Sequence, residues 1–180
     1  MKLRRIVTGR DGAGKSRVAV DGPPPMTHDF VHIPGMQVAR LWATVPCAGL
    51  ASDFADPTLT QTSIVPRPGG TQFLVVTFPP DAVMMSAEFN PAAAGAENLA
   101  HVPGLAEQFE PDDPGMHTTD TIDYGVVLDG EIALELDDGR IVHLKRHDVV
   151  IQYGTRHAWR NRSDRPAVMA FVLIGAQRQP

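Results

Sequence analysis

The dipeptide Asp129-Gly130 lies between two strand-like runs, residues 121–128 and 131–136. A two-residue Asp-Gly loop closes a β-hairpin, because its backbone twist matches that of the flanking strands. Within the second run Ile132, Leu134 and Leu136 alternate with polar or small residues, so one face of that strand is apolar. Asp138-Gly139 supplies a second turn. Further strands are predicted at residues 141–144, 148–152, 158–160 and 167–174. Turns about ten residues apart in a strand-rich stretch predict a sandwich or small barrel. Composition agrees, with 16 glycines and 16 prolines in 180 residues. Both residue types damage helix interiors, which disfavours bundles and coiled coils.

The N-terminal part reads as strands separated by long loops. Residues 3–7 and 17–20 flank a Gly-rich turn. Residues 37–45 and 71–78 are strand-like, and the run TQFLVVTF is apolar enough to be buried on both faces. Residues 46–70 hold Pro46, Pro57, Pro66 and Pro68, which predicts an irregular excursion with a short edge strand near 62–65. Residues 92–100 suit one or two helical turns. The segment Gly9 to Ser16 matches the phosphate-loop pattern G-x-x-x-x-G-K-S residue for residue. That loop needs a helix starting at its Lys-Ser. Here β-branched alternation and three prolines follow, so a hairpin turn is expected. His28 and His32 are four residues apart but lie between prolines, without a helix to align them. They are read as polar residues of the N-terminal segment.

The formal charge is −5, but the charges are segregated. Residues 68–139 carry 14 acidic residues and no basic one, and residues 140–180 carry 8 basic and 2 acidic residues. This excludes a uniformly basic nucleic-acid binder. No helix-turn-helix pattern is visible. Cys47 is the only cysteine, so no disulfide within the chain and no cysteine-rich zinc site is possible. No run approaches the ~20 apolar residues of a membrane span. A cytoplasmic protein without nucleic-acid or membrane partners is expected.

Two clusters in the C-terminal half carry chemistry. One holds Gly115, His117, Thr119, Asp123 and Gly130. The other holds His147-Asp148, Gly154, His157 and Asn161. Along an extended strand, His117, Thr119, Thr121, Asp123, Gly125 and Val127 share a face. Their spacing resembles the two barrel motifs of the cupin superfamily over residues 114–175. The first family motif runs Gly, His-x-His, Glu, Gly, and the second runs Gly-Asp, Gly, His, Asn. Three positions depart from it. Thr119 stands where a ligand His is usual, Asp123 replaces Glu, and His147 replaces a turn Gly.

The resemblance implies an all-β, double-stranded β-helix (jelly-roll) barrel with N-terminal strands and long loops. Residues 1–113 would complete the barrel, 114–175 form its core, and 176–180 form a tail. It implies a small-molecule enzyme with its site inside the barrel, of unresolved reaction type. His117, Asp123 and His157 would hold a divalent metal ion, with Fe, Zn, Mn and Ni all compatible. Thr119, Thr121 and Trp159 would line the substrate pocket. A metal-free dehydratase or isomerase using Asp123 and His157 as an acid–base pair is the rival reading. A non-catalytic ligand-binding barrel is the third. The family habit and the doubly apolar strand 121–128 imply a homodimer. Closing the barrel would also bring several of Arg156, Arg160, Arg162 and Arg165 against acids of residues 107–123.

Overall fold

The computed structural model describes residues 2–50 and 55–179. Eleven strands form three antiparallel sheets. A small ribbon pairs β1 (Arg5–Arg10) with β2 (Ser16–Gly22). The phosphate-loop look-alike is its turn, pinned by Asp11, whose carboxylate accepts from the backbone N–H groups of Ala13 and Lys15. No helix follows it.

The main sheet has six strands, in the order β3 (Met26–Asp29), β4 (Gln37–Thr44), β5 (Thr71–Phe78), β11 (Ala167–Gly175), β6 (Thr121–Asp129), β9 (Val149–Tyr153). Facing it is a three-stranded sheet in the order β10 (Ala158–Arg160), β7 (Glu131–Glu135), β8 (Ile141–Lys145). The hairpin turn at Gly130 needs glycine. Its φ is +76°, and a Cβ there would come within 2.7 Å of the Pro166 carbonyl oxygen. His147 also takes a left-handed backbone, with φ +76°, so this turn tolerates a side chain where the motif has glycine.

Directly paired residues in antiparallel strands point to the same face. The register therefore sorts the inner face of the large sheet into rows. One row is Val38, Val76, Met169 and Val127, all buried. It packs with Ile132, Leu134 and Leu144 of the small sheet into one core. Another row is Ala43, Gln72, Leu173, Asp123 and Gln152. The interior is thus apolar at one end and polar at the other.

Two expectations need correction. Residues 62–65 form no strand. Instead Ile64 is fully buried and its N–H donates to the Pro103 carbonyl, so packing fixes this stretch rather than a sheet edge. The helical segment is longer than predicted: α1 spans Pro91–His101. Pro91 opens it and the Asn90 side chain caps it by accepting from the Ala93 N–H. The outer face of strand 121–128 is partly open in the single chain, with Tyr124 47% exposed. Residues 51–54 of the predicted loop lie outside the described residues.

Candidate functional site

The segment before β6 runs antiparallel to the start of β10. His117 and His157 face each other there, and each backbone N–H donates to the other's carbonyl, at 2.9 and 3.0 Å. Their rings lie on the same side, with centroids 4.3 Å apart. In each residue Nδ1 lies 3.0 Å from the carbonyl oxygen two residues upstream, that of Gly115 or of Thr155. A carbonyl only accepts, so Nδ1 is the protonated nitrogen in both rings. Both Nε2 atoms then present lone pairs. This second hydrogen bond is how a ligand imidazole is held in one tautomer.

Both rings are buried. Burial pushes the His157 pKa down to about 4, helped by the neighbouring His117 and opposed by the Thr155 carbonyl. It lowers that of His117 too, against the Gly115 carbonyl and Glu110. At neutral pH the pair is uncharged. The ring edge of His157 lies against Trp159 (centroids 5.8 Å apart), and Trp159 packs on Phe171. Trp159 therefore links the His pair to the apolar core of the barrel.

Thr119, Thr121 and Asp123 continue inward from His117 and all are buried. The two threonine hydroxyls share a 2.8 Å hydrogen bond. Asp123 Oδ1 has no partner among the described residues. Burial raises its carboxyl pKa to about 6, and the Thr121 hydroxyl pulls it partly back. Among the described residues, no three His, Cys, Asp or Glu side chains stand close enough to hold a metal ion. His117 and His157 come together, while Asp123, shorter by one methylene than the usual Glu, joins them in no such cluster among the described residues. Asp123 and His157 also form no hydrogen-bonded pair among the described residues, so the expected acid–base couple is not preassembled.

The charge segregation has a structural role outside the pocket. Arg156 and Arg160 flank His157 on the opposite strand face. The Arg156 guanidinium binds both Glu110 oxygens, at 2.8 and 2.7 Å, with Asp113 at 2.8 Å and Asp137 at 3.0 Å. Arg160 pairs with Glu135 and donates to the Pro114 carbonyl. Arg178 adds a bond to Asp120. These arginines strap the acidic segment that carries His117 onto the strand that carries His157. Of the four arginines expected to supply such pairs, Arg156 and Arg160 do so, and Arg162 and Arg165 form no ion pair among the described residues.

Other predicted polar residues serve elsewhere. His28 Nε2 lies 2.9 Å from Glu97 of α1, and its ring stacks on His101 at 3.4 Å. Asn161 is fully buried and bridges the Phe78 and Arg165 carbonyls. Sequence reading missed Arg40 and Gln72. Both turn into the barrel, and their only signal was a polar residue on the inward phase of an otherwise apolar strand.

Two facing antiparallel sheets closed around an inward His pair define a double-stranded β-helix barrel. The cupin domain family model matches residues 107–174. Over that stretch the chain is similar to the cupin domain family. It is 57% identical over 63 residues to "Phomopsin biosynthesis cluster protein C'" of Diaporthe leptostromiformis, covering 34% of this chain and 33% of that protein. It is 36% identical over 62 residues to "Cupin-domain-containing oxidoreductase virC" of Hypocrea virens, covering 33% and 32%. The chain thus spans about a third of the length of these curated relatives. A solved cupin domain of an XRE family transcriptional regulator from Enterobacter cloacae covers 79% of this chain and 99% of its own, at 17% identity and a TM-score of 0.39. Among the described residues no helix is long and apolar enough to cross a membrane.

Proposed function

We propose that this chain is a small-molecule enzyme acting inside the barrel, with His117 and His157 as the protein ligands of a divalent metal ion. The observation that carries the reading is the pair of Nδ1–H bonds to the Gly115 and Thr155 carbonyls. They leave two Nε2 lone pairs on adjacent, uncharged rings. Imidazoles held this way suit Fe, Zn, Mn or Ni alike. The fit holds for the two imidazoles and not for Asp123. When bound, such an ion polarises a substrate oxygen as a Lewis acid.

The chain's own groups do the rest. Asp123 can hold or release a proton at Oδ1, which points at no protein partner. Thr119 and Thr121 offer hydroxyls beside it. Trp159 excludes water from one wall. The oxidoreductase name of the Hypocrea relative and the biosynthesis-cluster name of the Diaporthe relative support chemistry on a small molecule.

Metal-free proton transfer by Asp123 is the second reading, favoured by its buried, unpartnered Oδ1 and by the lack of a three-residue ligand cluster among the described residues. Metal analysis of untagged protein separates the two, with wild type beside His157→Ala and Asp123→Asn. The expected result is about one metal ion per chain in wild type and in Asp123→Asn, and none in His157→Ala. A folded, metal-free wild type overturns the metal reading and leaves Asp123 as the acid–base group. Loss of metal in Asp123→Asn makes Asp123 the third ligand.

A further inference from the structure

The barrel interior contains a buried positive charge that no described residue neutralises. Arg40 is 5% exposed. On β4 it pairs with Leu74, which pairs with Phe171, so its row is an inward one. Of its five N–H donors, one bond is formed, from Nη2 to the Gln61 carbonyl at 2.9 Å. Its Nε has no partner, and no carboxylate lies within ion-pair distance among the described residues. Arg5, on the ribbon, is treated differently and is paired with Asp56. Burial lowers the Arg40 pKa, yet a guanidinium stays charged.

One row nearer the His pair lies Gln72, 1% exposed, with its Nε2 also unpartnered. Gln72 shares its row with Asp123, two strands away across Leu173. Buried donors are normally satisfied, and a buried cation without a counter-charge is costly. Two orphan donors and an orphan acceptor line the same inner face.

We propose that Arg40 and Gln72 anchor the carboxylate of a small organic acid bound in the barrel. The ligand supplies the missing negative charge and accepts from both side chains. A carboxylate suits the site better than a phosphate, because one guanidinium and one neutral amide balance a single charge. The two-strand separation of Gln72 from Asp123 is about 10 Å before side-chain reach is subtracted. A short acid anchored at Gln72 and Arg40 therefore brings its far end to Asp123 and the His pair. This rests on the reading that the barrel interior takes the substrate.

The test uses butyrate, butyramide and inorganic phosphate as probes, by calorimetric titration and thermal melting. Proteins compared are wild type, Arg40→Met, Gln72→Leu and His157→Ala. Butyrate should bind wild type and raise its melting temperature, and butyramide should not. Affinity for butyrate should fall at least tenfold in Arg40→Met and to a lesser degree in Gln72→Leu. His157→Ala should keep butyrate binding, so failure of the metal reading is seen separately. Ligand-free Arg40→Met should melt at or above wild type, because methionine removes the uncompensated charge while filling the space. Equal binding of butyramide, unchanged butyrate affinity in Arg40→Met, or no binding to wild type overturns the proposal. Tighter binding of phosphate than butyrate overturns the choice of carboxylate. An Arg40→Met chain that melts well below wild type shows Arg40 to be a support for the loop at Gln61, and Gln72→Leu then decides alone.

Discussion

His117 and His157 form a closed two-residue bridge, each N–H donating to the other's carbonyl, with ring centroids 4.3 Å apart. The backbone bridge and the two Nδ1 bonds fix ring position without help from any metal. The pair is therefore preorganised. His117→Ala and His157→Ala should each reduce metal affinity by at least about 100-fold, more than loss of a supporting hydrogen bond would. Competition against a fluorescent chelator measures this. A His117→Ala chain that loads like wild type would remove His117 from the site.

Arg156 holds the His117 segment from outside. Its fork to Glu110 keeps that carboxyl below its usual range. Arg156→Gln should raise amide exchange over residues 110–117 and weaken metal loading, while leaving the β7–β8 hairpin protected. The effect should shrink in high salt, since the pairs are partly exposed and screened. Exchange mass spectrometry at low and high salt reads both outcomes.

Glu97 pins α1 to the turn after β3. Its carboxylate accepts from the Val31 and His32 N–H groups, both at 2.8 Å, and from His28. These bonds outweigh burial and hold its pKa down to about 2. A depressed folded pKa gives stability that is complete above the ordinary carboxylate pKa and lost as pH falls toward the folded one. Glu97→Gln should cost about 1–3 kcal/mol at pH 7. Its deficit relative to wild type should close between about pH 4.5 and 2. Denaturant melts across that range test it, and a deficit independent of pH would contradict it.

His147 is an exposed side chain at φ +76°. A left-handed backbone costs a residue with a Cβ about 1 kcal/mol, and glycine escapes this. His147→Gly should therefore stabilise the protein by about that amount, with metal content unchanged. A destabilised variant would show that the imidazole makes a contact worth more than the strain.

The sheet pattern was legible because it depends on local rules. The Asp129-Gly130 turn, the alternation in Glu131–Glu135 and the apolar run of Thr71–Phe78 all predicted strands that are present. The inward phase of His117, Thr119, Thr121 and Asp123 followed from strand parity, and all four are buried. The P-loop look-alike could be dismissed for an equally local reason, the missing helix. By contrast, the edge strand near 62–65 was not there, because the burial of Ile64 depends on Pro103, far along the chain.

Sequence by itself therefore determined the strands, their turns, and which face of each strand turns inward. These follow from backbone geometry and residues a few positions apart. Tertiary structure decided which inward residues meet. It brought His117 to His157, because cross-strand register sets pairings that strand parity leaves open. It also joined Arg156 and Arg160 to acids of the preceding segment, and left Arg40 Nε and Gln72 Nε2 buried without hydrogen-bond partners among the described residues. Such pairings are made across strands distant in sequence, and only the closed barrel defines them.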